Sequence, residues 1–221
     1  MSEATVASAL AATGIGAERV GSLRASRLAP GERAVYSAIL RSFVDGTVPD
    51  RATIASESTR HGLAVDDIVA TLAREDLVHL DPSGQVEVAY PFSGRPTRHR
   101  VRFNGHEVFA MCAIDALGIA PMLDAPIEVS SRDPLDGHAI TVSLAPDGTA
   151  SWEPEQAVVV TGCTRESAAF SSCCQVLNFF ASPANAERYL LQHTDVRGFA
   201  ISIPQAVELG RLTFGDVMMD A

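Results

Sequence analysis

The chain has 221 residues, 47% of them hydrophobic, and carries 17 basic against 27 acidic side chains for a formal charge of −10. That much apolar material supports a packed core in one large domain or two small ones and excludes a disordered tail. All the basic residues are arginine, and residues 103–221 hold 5 of them against 15 acids, so the second half carries the whole negative charge and is no surface for a polyanion. Its most apolar run, Phe109 to Leu123, carries Asp115 and is too short to cross a bilayer core of ~30 Å. The N-terminus opens with Glu3 and has no basic n-region, so no signal peptide is expected. Cys112, Cys163, Cys173 and Cys174 are then expected as free thiols in a reducing cytoplasm.

Residues 1–28, rich in Ala, Ser and Gly, read as a weakly ordered or helical lead-in. A first helix is expected over Glu32–Asp45, where Val35, Ile39, Leu40 and Phe43 recur at helical spacing. Ala52–His61, stopped by Gly62, and Asp66–Glu75 give two more. Leu77–Leu80 and Gln85–Tyr90, joined by Asp81-Pro82-Ser83-Gly84, give an alternating hairpin. Three short helices and a hairpin over residues 29–95 make a winged-helix-like domain. A DNA-reading third helix would need basic residues, but this one holds Asp66, Asp67, Glu75 and Asp76 against Arg74, which argues against nucleic acid.

Residues 96–221 read as an α+β domain with a mainly antiparallel sheet. Pro91–Arg102, with Arg95, Arg98, Arg100 and Arg102, reads as a linker or strand lead-in. Strands are expected at Ile127–Ser130 and Ala139–Leu144 around the Asp133–Gly137 turn, and Trp152 and Ala157–Thr161 are expected to continue the sheet. Ser182-Pro183 is an N-cap and first-position pair opening a helix to about Gln192. Phe199–Ile203 reads as a strand and Pro204–Gly210 as the start of a last helix.

Two clusters carry chemistry. In Met111-Cys112-Ala113-Ile114-Asp115-Ala116-Leu117, within a helical stretch ending near Pro121, a spacing of three puts Cys112 and Asp115 on one face. A carboxyl in so apolar a stretch has a raised pKa, and a thiol beside a proton-carrying acid suits nucleophilic attack coupled to proton delivery. The bland alternative is a small core cysteine with a solvent-facing or capping aspartate. In Ser171-Ser172-Cys173-Cys174 the serines suggest a helix N-terminus that would stabilise a thiolate; the alternative is a buried cysteine pair. Neighbouring cysteines rarely bridge each other. No C-x₂-C or H-x₃-H spacing supports a closed zinc site, and the six histidines are scattered singly.

Taken in order, Cys112-Ala113-Ile114-Asp115-Ala116-Leu117, the Ser130-Ser131 strand end with Gly137 after it, and Cys174-Gln175-Val176-Leu177-Asn178-Phe179-Phe180-Ala181-Ser182 resemble the alkylmercury (organomercurial) lyases across roughly residues 30–215. The resemblance implies protonolytic cleavage of carbon–mercury bonds to hydrocarbon and Hg(II). Cys112 and Cys174 would be the mercury ligands, and Asp115 the proton shuttle and a transient metal contact. Cys174 stands five residues before Phe179, as the family's second cysteine does; Cys173 is the less favoured alternative, and Cys163 has no counterpart in the motif. Met111 departs from the family, where an aromatic residue often precedes the first cysteine. The resemblance implies no resident cofactor, only free thiols as reductant and mercury acceptor. The partners it implies are an organomercury substrate, small cellular thiols and a mercuric reductase. The alternatives are a homologue acting on another organometal and a winged-helix, thiol-based metal sensor.

Overall fold

The structure, a computed structural model, describes residues 21–164 and 173–218. Residues 1–20 of the expected lead-in, and Ser171 and Ser172 of the expected helix start, lie outside them. The fold is α+β. A short helix α1 (Gly21–Ala25) precedes α2 (Pro30–Val44), α3 (Arg51–Arg60) and α4 (Val65–Arg74), followed by the hairpin strands β1 (Val78–Leu80) and β2 (Val86–Ala89). Three helices and a hairpin thus occur in the expected order. Local chemistry sets their ends: Asp50 caps α3 by accepting the Thr53 N–H at 2.9 Å, and Gly62 leaves that helix at φ +67°.

Next come β3 (Phe92–Ser93), β4 (His99–Phe103), β5 (His106–Ala110), α5 (Ala113–Leu123), β6 (Ile127–Arg132), β7 (Ala139–Leu144), β8 (Ala150–Glu153) and β9 (Val158–Cys163). The chain closes with β10 (Asn178–Phe180), α6 (Pro183–Gln192), β11 (Arg197–Ser202) and α7 (Ile203–Phe214). One antiparallel sheet runs β1-β2-β3-β5-β4-β6-β7-β8, so β3 joins the hairpin to the larger strands; a second runs β10-β9-β11. The expectation that Trp152 and Ala157–Thr161 continue one sheet is therefore corrected. Trp152 lies on the edge strand of the first sheet, while β9 is the centre of the second. Pro154 stands between them and has no N–H to offer a ladder.

The arginine-rich stretch is also more than a linker. Within it β4 alternates buried and exposed residues. Its outward Arg100 and Arg102 pair with Glu107 at 3.4 and 3.6 Å, and Arg102 reaches Glu128 at 3.7 Å. Arg95 pairs with Asp81 and Glu87 at 3.1 and 2.9 Å. These arginines pair with acids across the solvent face of the sheet, which is why they cluster in sequence.

Helix α5 is buried on nearly all sides, as expected of a helix apolar all round. It runs past Pro121 and ends at Asp124, whose φ is +48°. It crosses α7 at two glycines. A Cβ on Gly118 would lie 2.4 Å from the Phe214 ring, and one on Gly210 would lie 2.8 Å from the Gly118 nitrogen. Only hydrogen at both positions lets these backbones approach so closely.

Candidate active site

Strand β5 ends at Ala110, and the chain turns into α5 through Cys112, which is the helix N-cap rather than a residue inside the helix. Its backbone is extended, with φ −149°, and its Sγ accepts the Asp115 N–H at 3.4 Å. A sulfur here does the work a Ser or Asp oxygen usually does at a cap. The same three-residue spacing that predicted a shared face thus makes a cap, and it leaves the Asp115 carboxyl beside the thiol.

Cys174 arrives from the other end of the domain. It does not start a helix: residues 173–176 form a turn in which the Cys173 carbonyl accepts the N–H groups of Val176 (2.8 Å) and Leu177 (3.0 Å), and the chain then enters β10. The turn is pinned to the start of α5 by the Ala113 N–H donating to the Leu177 carbonyl at 2.9 Å. Behind it, buried Asp133 accepts the N–H groups of Leu135 and Ala181 and the Asn185 side chain, each at 2.8 Å, tying the β6–β7 turn to the Ser182-capped helix. Ser131, in the same strand end, meets buried His99 at 3.0 Å. Burial, then the Arg98 charge, holds the His99 pKa down to about 3, so this histidine is a neutral core group.

The result is a closed cluster. Cys112, Asp115 and Cys174 are 1%, 5% and 8% exposed, and one ligand atom from each lies within 4.8 Å of the others. The Cys174 thiol donates toward Asp115 Oδ2 at 3.9 Å and lies 3.6 Å from the Tyr90 hydroxyl. Burial pushes Asp115 up to about 7, against the opposing pull of the Cys112 hydrogen bond and the Arg24 charge. Burial likewise pushes the Cys112 thiol well above its ordinary range, helped by Cys174 and Asp115. The resting site therefore sets the Cys112 thiol and the Cys174 side chain beside a carboxyl that holds a proton near neutral pH.

These groups line a cavity of about 40 Å³ together with Arg24, Tyr90, Ile114, Cys173, Leu177, Thr213 and Phe214. Cys174 also borders a wider cleft lined by Met111, Arg98, His99 and Gln175, so this residue lies between the cavity and that cleft. Arg24 donates to the Asp76 carbonyl and carboxylate at 2.6 and 2.8 Å and lies over the Tyr90 ring, 5.4 Å from its centre. Sequence reasoning missed Arg24 and Tyr90. Arg24 sits in a lead-in without periodicity, and Tyr90 reads there only as a strand end.

One expectation fails outright. Cys163 and Cys173 are not free thiols: they are joined by a disulfide, with their Cα atoms 4.4 Å apart. Strand β9 ends at Cys163 and brings it against the turn that carries Cys173, a proximity no local spacing encodes. Cys112 and Cys174 are the free cysteines among the described residues.

Two free cysteines and a carboxyl of raised pKa in the core of an α+β protein are a donor set that could hold a soft, thiophilic metal centre. Comparison with known proteins gives that class a family. The family profile described as alkylmercury lyase (MerB) matches residues 92–215. An alkylmercury lyase from Staphylococcus epidermidis is 29% identical over 178 residues, 80% of each chain. One from Bacillus cereus is 30% identical over 164 residues, 74% of each chain. The solved structure of the mercury-bound form of MerB2 aligns with a TM-score of 0.75 at 20% identity, covering 91% of this chain and 98% of that one. This chain belongs to the alkylmercury lyase family, a family of carbon–mercury lyases.

Proposed function

We propose that the protein cleaves the carbon–mercury bond of alkyl- and arylmercury compounds by protonolysis, with Cys112 and Cys174 as mercury ligands and Asp115 as proton shuttle. The observation that carries this reading is the buried cluster itself: two free thiols and a carboxyl raised to about 7, with ligand atoms within 4.8 Å of one another.

The chemistry balances with these groups alone. The substrate arrives as R–Hg–SR′. One cysteine sulfur adds to mercury as the outgoing thiolate R′S⁻ leaves with that cysteine's proton. Asp115 enters this step holding its proton: the second cysteine adds as thiolate while its own proton passes to one Asp115 oxygen, raising electron density on mercury and making the bound carbon carbanion-like. Cys174, whose thiol already points at Asp115, suits this second role. The proton already held on the other Asp115 oxygen goes to the carbon in the same step and R–H departs, leaving Hg(II) on two thiolates beside an Asp115 that is protonated again and whose carbonyl oxygen is free to contact the metal. General acid catalysis of this kind contributes roughly 10²–10⁴-fold. Burial matters because water near the mercury would compete with the thiolates and would lower the Asp115 pKa.

No resident metal or organic cofactor enters this balance. Free thiols serve to keep the cysteines reduced and to carry Hg(II) away, to small cellular thiols or to a mercuric reductase. A reducing compartment, the cytoplasm, fits a site that works as two thiols. Incubating reduced protein with phenylmercuric ion and excess thiol tests the reading: benzene and Hg(II) are expected, and protein that yields no benzene overturns it.

A further inference from the structure

The reaction leaves Cys163 and Cys173 unused, yet Cys173 lines the same cavity as Cys112, Asp115 and Cys174. It is buried and adjoins Cys174 in the chain, while its bonded partner Cys163, at the end of β9, is half-buried. The pair thus leads from the cavity wall toward the surface.

We propose that Cys163 and Cys173, once reduced, form a second Hg(II) site that takes the metal from Cys112 and Cys174. The proposal rests on the carbon–mercury cleavage reading above. The disulfide establishes that the two sulfurs reach each other from Cα atoms 4.4 Å apart, and a two-coordinate bis-thiolate needs those side chains only to rotate apart by the width of one metal atom. Soft thiolates are the ligands mercury prefers, so two thiols beside the product site compete for the product directly. Cys173 stands next to the cysteine that holds the metal, which makes it the first receiver, and Cys163 the second.

The steps balance. Two molecules of a low-molecular-weight thiol open the disulfide: the first attacks the more exposed Cys163 sulfur and releases Cys173 as a thiol, and the second resolves the mixed disulfide, giving RSSR and two reduced cysteines. Mercury then moves by two exchanges without change of oxidation state. The Cys173 sulfur adds to mercury and its proton passes to the departing sulfur of Cys174. Cys163 then displaces Cys112 in the same way. Cys112 and Cys174 regain their protons and the reaction site is ready again. With the disulfide closed, Hg(II) stays on Cys112 and Cys174 until an outside thiol removes it.

The test is a count of turnovers without free thiol. Protein reduced with a phosphine and desalted receives phenylmercuric ion in two successive equimolar portions, and benzene is measured after each. Reduced wild type is expected to release about two benzenes per chain, and C163S/C173S or wild type with the disulfide closed about one, because only the reduced pair clears the site. The closed wild-type protein gives the comparison if the double variant does not fold. Reduced wild type that stops after the first portion, as the closed form does, overturns the second site. An absence of benzene after the first portion in every form overturns the cleavage reading instead.

Discussion

Replacing Asp115 by Asn should stabilise the protein while stopping its chemistry. The carboxyl is fully enclosed, and burial raises its pKa from 3.8 to about 7. Between those values the folded chain binds a proton that the unfolded chain has released, so stability falls as pH rises through this window. Below it both states are protonated and nothing is lost; above it both are ionised and the full penalty is present. That rise corresponds to a penalty of about 4 kcal/mol at pH 8, and of about 2 kcal/mol at pH 5, where the window is only partly crossed. Asparagine keeps the shape and never ionises. The gain of Asp115→Asn over wild type in urea unfolding should therefore grow by roughly 2–3 kcal/mol from pH 5 to pH 8. Other titrating groups are common to both proteins and cancel in the difference. Hydrocarbon release should meanwhile drop at least ~10²-fold for loss of the proton carrier. A stability difference that stays flat with pH would refute a carboxyl that ionises at a cost, and retained turnover would refute its role as proton donor.

Cys112→Ser and Cys174→Ser should each abolish hydrocarbon release from phenylmercury, whereas Cys173→Ser should keep the first turnover; full loss in Cys173→Ser with activity retained in Cys174→Ser would exchange their roles. Gly118→Ala would put a Cβ 2.4 Å from the Phe214 ring and 3.0 Å from the Gly210 carbonyl. A lower melting temperature, equivalent to ~1–3 kcal/mol, is expected from this overpacking, and an unchanged one would show that α5 and α7 part easily. Arg24→Met removes a positive charge that holds the Asp115 pKa down. The alkaline limb of the activity profile should therefore move to higher pH, and a limb that stays in place would place the charge too far away to matter.

Much of the fold was legible in local patterns. The hydrophobic period of Val35, Ile39, Leu40 and Phe43 marks α2, and the Ser182-Pro183 pair marks the start of α6 within the residues that form it. The strand at His106–Ala110 escaped local reading because its end, Phe109 and Ala110, belongs to the apolar run that goes on as helix. The turn at residues 173–176 was misread because serine before apolar residues is a helix signal only when the following carbonyls pair locally, and here the chain passes into a sheet.

The sequence by itself determined the α+β class, the order of most elements, and the pairing of Cys112 with Asp115, because three residues of spacing fix that contact within one turn of chain. Only the tertiary structure decided that Cys174, 59 positions from Asp115, meets its carboxyl. It also decided that Arg24 and Tyr90 wall the cavity, and that Cys163 faces Cys173 rather than solvent. Those encounters depend on where β9, β10, α5 and α7 pack against one another. That packing is set by buried shape, such as the two glycines at the helix crossing, and not by any interaction between neighbours in sequence.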